Sequence, residues 1–90
     1  MNLEHDYDAE LLCKYIASEL KQIRKMRKIL VDDVAFELGM SNSYLSNIEN
    51  HHRPKLSLYM YIMLANYYDV PFEDIVKNAK MKKEIDDKFR

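Results

Sequence analysis

Apolar residues recur three or four positions apart along most of the chain, which is the period of an amphipathic helix and not of a strand. Leu12, Ile16, Leu20 and Ile23 follow this spacing, with charged residues between them. They predict a first helix over about residues 9–28. The first predicted element is therefore one long helix with a single apolar face.

The segment 31–50 predicts two short helices joined by a tight turn. The first covers about 31–38, and Gly39 ends it because glycine adopts positive φ most readily. Ser41 is a good N-cap for the second helix, over about 42–49. The residues expected to face inward from this pair are Val34, Ala35, Leu38, Leu45 and Ile48.

Two further helices are predicted after an exposed basic loop over 50–56. Ser57 would cap the fourth helix, which ends near Tyr68, and Pro71 would occupy the first turn of the fifth. The fifth helix is expected to turn inward Phe72, Ile75 and Val76. Residues 78–90 are charged and weakly periodic, so they either extend this helix or fray. The whole pattern predicts an all-α chain.

Composition agrees with a single ordered helical domain. Apolar residues make up 48% of the 90, and one glycine with two prolines leaves few sites for hairpin turns. Cys13 is the only cysteine, so an intramolecular disulfide and a cysteine-based zinc site are excluded. No apolar run approaches the roughly 18 residues of a membrane span, and the acidic N-terminus is unlike a signal peptide. We therefore expect a cytoplasmic protein with no membrane contact.

The net charge of −1 hides an uneven distribution along the chain. Residues 1–10 hold four acids and no lysine or arginine, residues 14–55 hold eight bases and five acids, and residues 56–90 hold six of each. A basic centre is what contacts with phosphates would need.

The two short helices of 31–50 suit a particular task. Their connection is too short for them to run antiparallel, so they meet at a steep angle and the outer face of the second helix protrudes. A protruding helix roughly 10 Å across fits the major groove of B-DNA, which is about 12 Å wide. Asn42, Ser43 and Asn47 on that face offer both donors and acceptors, and asparagine can pair with adenine through two hydrogen bonds.

These features resemble the lambda-repressor-like (Xre-type, Cro/CI-like) helix-turn-helix DNA-binding family over residues 20–76. The most specific parts are Ala35, Gly39, Ser41, the run SYLSNIEN over 43–50, and the spacing of Ala65, Val70 and Ile75. The resemblance implies an all-α, five-helix lambda-repressor-like DNA-binding domain with an extended N-terminal first helix. The 90 residues would form a single domain, with an N-terminal extension over 1–19 and a charged C-terminal tail over 77–90.

The resemblance also implies roles for particular residues. Three match the base-reading positions of the family: Asn42, Ser43 and Asn47. Others match positions near the sugar-phosphate backbone: Tyr44, Ser46, Asn50, His51, Arg53 and Lys55. Arg24 and Glu49 match an ion pair, partly buried, that ties the first helix to the third, and loss of one member would cost about 3–5 kcal/mol.

The chain departs from the family pattern around the second helix. Lys28 stands where the family usually has glycine, Leu30 replaces a serine or threonine cap, and Val31 replaces a glutamine. Asp32 and Asp33 suit the helix dipole but would repel a nearby phosphate. We therefore expect the second helix to serve packing and to contact DNA only weakly.

The fourth helix is apolar on nearly every side, which is typical of a helix that is covered on every side. Its core stripe is expected to be Leu58, Tyr61, Ile62, Ala65 and Tyr68. A second face would then carry Tyr59, Met60, Met63 and Tyr67. This second face is a dimer surface, or else the extension covers it with Leu11, Leu12 and Tyr15.

Nothing in the sequence supports catalysis, a metal site or a cofactor. His51 and His52 are adjacent, so their rings diverge, and no third ligand is near in sequence. The leading hypothesis is a sequence-specific transcription regulator, a repressor that binds an inverted-repeat operator as a homodimer through residues 42–49. Its partners would be double-stranded DNA, a second copy, and a protein such as a toxin or antirepressor. The alternatives are an antitoxin, or a protein-interaction module that kept the fold without DNA binding.

Overall fold

The computed structural model describes residues 3–53 and 55–89, and within these ranges it contains five helices and no strand. They are α1 (Leu3–Met26), α2 (Val31–Glu37), α3 (Asn42–Glu49), α4 (Leu58–Tyr67) and α5 (Phe72–Lys88). The predicted all-α, five-helix fold is confirmed.

Helices α1 and α5 differ from their predicted bounds. α1 begins at Leu3 and not near residue 9, since no glycine or proline interrupts the preceding turn. α5 continues to Lys88, so most of residues 78–90 extend the helix. Pro71 is the N-cap of α5, with an extended ψ of 132°, and does not occupy its first turn. The predicted place of Pro71 was therefore wrong by one residue.

All five helices contribute to one apolar core. Ala35 of α2 and Ala65 of α4 are fully buried, and small side chains let helix axes approach closely at these points. Burial of apolar side chains is the main stabilising contribution in such a fold. The other buried members of the core are Ile16, Leu20, Val34, Leu45, Ile48, Tyr61, Leu64, Tyr68, Ile75 and Ala79.

Helix α1 packs chiefly along α5. The hydroxyl of Tyr15 donates to the carboxylate of Asp86, and the ammonium group of Lys82 contacts Glu19 and Gln22. The order of these contacts shows that the two helices run in opposite directions. The stretches 15–22 and 82–86 therefore stabilise each other.

The inward face of α4 differs from the predicted stripe. Tyr61, Leu64, Ala65 and Tyr68 are buried, while Leu58 and Ile62, which were predicted to lie in the core, are exposed. Met60 and Tyr67, which were predicted for the outer face, pack against the core instead. Of the other two residues predicted for that face, Tyr59 is exposed and Met63 is half-buried. A helix that is apolar all round has no periodicity to fix its rotation, which explains the error.

Helix α1 also contacts α4, where Cys13 lies beside Tyr61. Leu12, Cys13 and Tyr15 pack against the core, and Leu11 is half-buried. The outer residues Leu58, Tyr59 and Ile62 remain exposed.

Among the described helices, none is both long enough and apolar enough to cross a membrane.

Candidate nucleic-acid interface

The turn between α2 and α3 is built from three local interactions. Gly39 has a φ of +68°, which lets the chain reverse after α2. The amide of Met40 then donates to the carbonyl of Ala35 at 2.9 Å. The hydroxyl of Ser41 accepts from the amide of Tyr44 at 3.0 Å, which caps α3. These bonds fix where α3 begins and which side chains stand at its N-terminus.

The outer face of α3 carries the three side chains that the sequence assigns to base reading. Asn42, Ser43 and Asn47 are all exposed. Ser43 and Asn47 make no side-chain hydrogen bond to another residue in the described ranges, whereas the amide of Asn42 donates to Asp32. The face therefore offers hydroxyl and amide groups at the exposed surface of α3.

The C-terminal end of α3 carries a cluster of polar and basic groups. Asn50 donates to the carbonyl of Ser46 at 3.0 Å, and its Oδ1 accepts from the ammonium group of Lys21 at 2.6 Å. The guanidinium of Arg53 lies 4.8 Å from the centre of the Tyr44 ring, within the range of a cation–π interaction. Two cations thus lie next to residues of α3 and its C-cap, Lys21 at Asn50 and Arg53 at Tyr44.

Lys21 was not among the residues assigned to the interface from sequence. It lies three positions before Arg24, so both side chains project from the same side of α1. Since Arg24 was expected to reach Glu49, the same spacing would have indicated that Lys21 reaches Asn50, the next residue after Glu49.

The loop after α3 orients its basic side chains differently from the prediction. His51 has a φ of +57° and its side chain is only 13% exposed, with Nε2 lying 3.8 Å from Oε1 of Glu10. The structure therefore turns His51 toward α1 and away from solvent, which argues against the predicted contact with a DNA backbone. His52, Arg53 and Lys55 are exposed, so Arg53 and Lys55 remain the cations of this loop.

Arg24 and Glu49 meet as a buried pair. The Nε of Arg24 donates to Oε2 of Glu49 at 2.8 Å and its Nη2 donates to Oε1 at 3.0 Å. The hydrogen bond with Glu49 raises the pKa of Arg24. Arg24 also donates from Nη1 to the carbonyl of Ile29 at 2.9 Å. The pair holds the end of α3 and the segment before α2 against α1.

The structure explains how the atypical residues around α2 are accommodated. Lys28 adopts a φ of +58°, the conformation that favours glycine. Leu30 is the N-cap of α2 and makes no side-chain capping bond. Val31 packs against the core, and Asp32 and Asp33 are exposed in the first turn. The helix thus presents two acids, and no glutamine amide, next to α3.

Helices α2 and α3, joined by a tight turn at Gly39 and packed together with an exposed polar face on the second helix, define a helix-turn-helix protein of the DNA-binding class. The sequence model of the Helix-turn-helix family matches residues 20–75. The chain belongs to this family, in its Xre, lambda-repressor-like branch, whose members are DNA-binding transcription regulators and typically not enzymes. No curated protein matches the chain.

Proposed function

We propose that this protein is a sequence-specific transcriptional repressor that occupies operator DNA through α3. The observation that carries the proposal is the exposed face of Asn42, Ser43 and Asn47, together with the ammonium group of Lys21 and the guanidinium of Arg53. Base edges are read by hydrogen bonds, and phosphates are bound by cations. The cations contact Asn50 and Tyr44, which are neighbours of these side chains along the chain, and this supports the proposal. Action on chromosomal DNA would place the protein in the cytoplasm.

The first test measures binding to DNA selected from a random pool. The triple variant Asn42→Ala, Ser43→Ala, Asn47→Ala should lose nearly all specific affinity, because each good base contact supplies about 1–3 kcal/mol of discrimination. All three side chains are exposed, so the fold should be retained and circular dichroism should be unchanged. The control is Asn78→Ala, which removes an exposed amide on α5. Equal affinity of the triple variant and the control would contradict the proposal.

A second copy is proposed to cover the exposed apolar side chains at the start of α4. Leu58, Tyr59 and Ile62 form this α4 patch, with exposed fractions of 60%, 74% and 37%. Residues 58 and 62 are one turn apart, so the three side chains lie on adjoining positions. A homodimer would place two α3 helices on one face of DNA, and they would read an inverted repeat with half-sites about 34 Å apart.

Sedimentation and DNA binding together test the homodimer. Tyr59→Glu places a charge in the α4 patch. It should lower the sedimenting mass of the protein, free or bound to DNA, and it should weaken binding to an inverted repeat. The control is Met81→Glu, the same kind of change at a half-exposed apolar site on α5. A wild-type protein that sediments as a monomer both free and on the repeat would overturn the dimer but not DNA binding.

A protein-interaction module is the second candidate, and the antitoxin of a toxin–antitoxin pair is a related one. The net charge of −1, the two acids in the first turn of α2 and the 86% exposure of Phe36 favour a protein partner. For the module, the wild type would select no sequence from random DNA. For the antitoxin, specific DNA binding would persist while a co-expressed toxin would protect the α4 patch from hydrogen exchange.

A further inference from the structure

The amide of Asn42 is held by a neighbouring helix. Its Nδ2 donates to Oδ1 of Asp32, in the first turn of α2. Both residues are exposed, so the contact lies on the surface that the proposed function assigns to DNA. Among the three base-reading candidates, Asn42 is the one whose orientation is set from outside α3.

This contact changes what Asn42 can offer to a base. A primary amide carries two N–H donors and one carbonyl acceptor, whereas an ionised carboxylate only accepts. Asp32 therefore takes one of the two N–H groups and keeps the Nδ2 end of the amide toward α2. One N–H and the oxygen Oδ1 remain for the DNA.

The remaining groups match adenine and not guanine. In the major groove adenine presents one donor, its N6 amino group, and one acceptor, N7. Guanine presents two acceptors, O6 and N7, so it needs two donors. Asn42 has only one donor left, and the Asp32 carboxylate beside it would face the guanine acceptors with a negative charge. On the basis of the proposed function, we infer that Asp32 determines specificity by setting Asn42 to read adenine and to reject guanine.

Asp33 provides a matched control for this role. It lies in the same first turn of α2, is exposed, and carries the same charge, but it makes no hydrogen bond with Asn42. Both acids repel phosphates and both favour the positive end of the helix dipole. Removing either acid should therefore change general affinity and stability alike, while only Asp32 should change the choice of base.

The experiment begins with DNA selected from a random pool by the wild-type protein. The base position at which Asn42→Ala loses its preference is the one that Asn42 reads. Duplexes with adenine or guanine at that position are then compared by fluorescence anisotropy. The wild type and Asp33→Ala should prefer adenine by about tenfold, and Asp32→Ala should retain only about a twofold preference because it gains affinity for guanine.

The outcomes separate this inference from the function on which it rests. If the wild type selects no sequence, the proposed function fails and the role of Asp32 fails with it. If a sequence is selected but Asp32→Ala keeps the full preference for adenine, only the role of Asp32 is overturned. Selection of guanine by the wild type at that position, or an Asn42→Ala profile identical to the wild type's, also overturns it.

Discussion

The guanidinium of Arg24 and the carboxylate of Glu49 form two parallel hydrogen bonds, of 2.8 and 3.0 Å, inside the protein. Both residues are more than nine-tenths buried. Glu49 is the last residue of α3, and Arg24 lies in the last turn of α1. Two-point pairing of this kind fixes orientation as well as distance. The pair therefore sets how α3 stands on the rest of the fold.

Glu49→Ala should destabilise the protein by about 3–5 kcal/mol, because it leaves the charge of Arg24 buried without a partner. Urea unfolding followed by circular dichroism would measure the loss. Glu49→Gln, which keeps the shape and an acceptor, should lose less. The control is Asp87→Ala, which breaks the exposed pair of Lys83 and Asp87 and should cost about 0–1 kcal/mol. Equal losses for Glu49→Ala and Asp87→Ala would contradict a structural role for the pair.

Lys28→Gly should stabilise the protein by about 1 kcal/mol. Lys28 has a φ of +58° just after the end of α1, where a side chain is strained and glycine is not. The residue is exposed, so little packing is lost. Thermal unfolding would detect the increase. Lys25→Gly, inside the last turn of α1, should instead destabilise by about 1 kcal/mol. The same sign for both variants would show that backbone strain at Lys28 does not matter.

The parts of the fold that were predicted best contain residues whose type serves one specific structural role, such as positive φ or helix capping. Gly39 and Ser41 fixed the turn and the start of α3, because one supplies the positive φ and the other caps the helix. The contact of Arg24 with Glu49 followed from the family resemblance. The rotation of α4 was missed because its sequence is apolar on nearly every side, so pattern alone could not separate Leu58 from Leu64.

Contacts between polar side chains on different helices were the least accessible from sequence. The bond from Asn42 to Asp32 depends on the relative placement of α2 and α3, which periodicity does not encode. The inward orientation of His51 was not foreseen for another reason. Its positive φ turns its ring toward α1, and no glycine marks that position.

Leu30→Ser should stabilise the protein by about 1 kcal/mol. Leu30 already has the extended backbone of an N-cap, with φ of −78° and ψ of 147°, but no side-chain oxygen to accept from the first turn of α2. It is 65% exposed, so the apolar burial given up is small. The reciprocal control is Ser57→Ala, which removes the 3.2 Å cap of α4 and should destabilise by a similar amount. A destabilising Leu30→Ser, measured by urea unfolding, would mean that the leucine packs more than its exposure indicates.

Tyr68→Phe should leave stability at pH 7 unchanged or raise it by up to about 1 kcal/mol, because the buried hydroxyl has no hydrogen-bond partner in the described ranges. Burial, and then the charge of Glu49, raises the pKa of Tyr68 from 10 to about 12. As the pH rises, the unfolded chain loses the Tyr68 proton at a lower pH than the folded protein does. The contribution of the protonated Tyr68 hydroxyl to the free energy of unfolding is therefore complete below pH 10, and it is lost as the pH rises through about 12.

The loss of stability from pH 9 to pH 11 should therefore be smaller in Tyr68→Phe than in the wild type, as measured by the urea midpoint at each pH. Arg27 binds the carbonyl of Tyr68 at 2.6 Å, so this contact survives the change. Tyr59→Phe, which alters an exposed ring, is the control and should follow the wild type. If Tyr68→Phe loses as much stability as the wild type between pH 9 and pH 11, other groups cause the pH dependence. The next residue to replace would then be Tyr61, because burial raises its pKa as well.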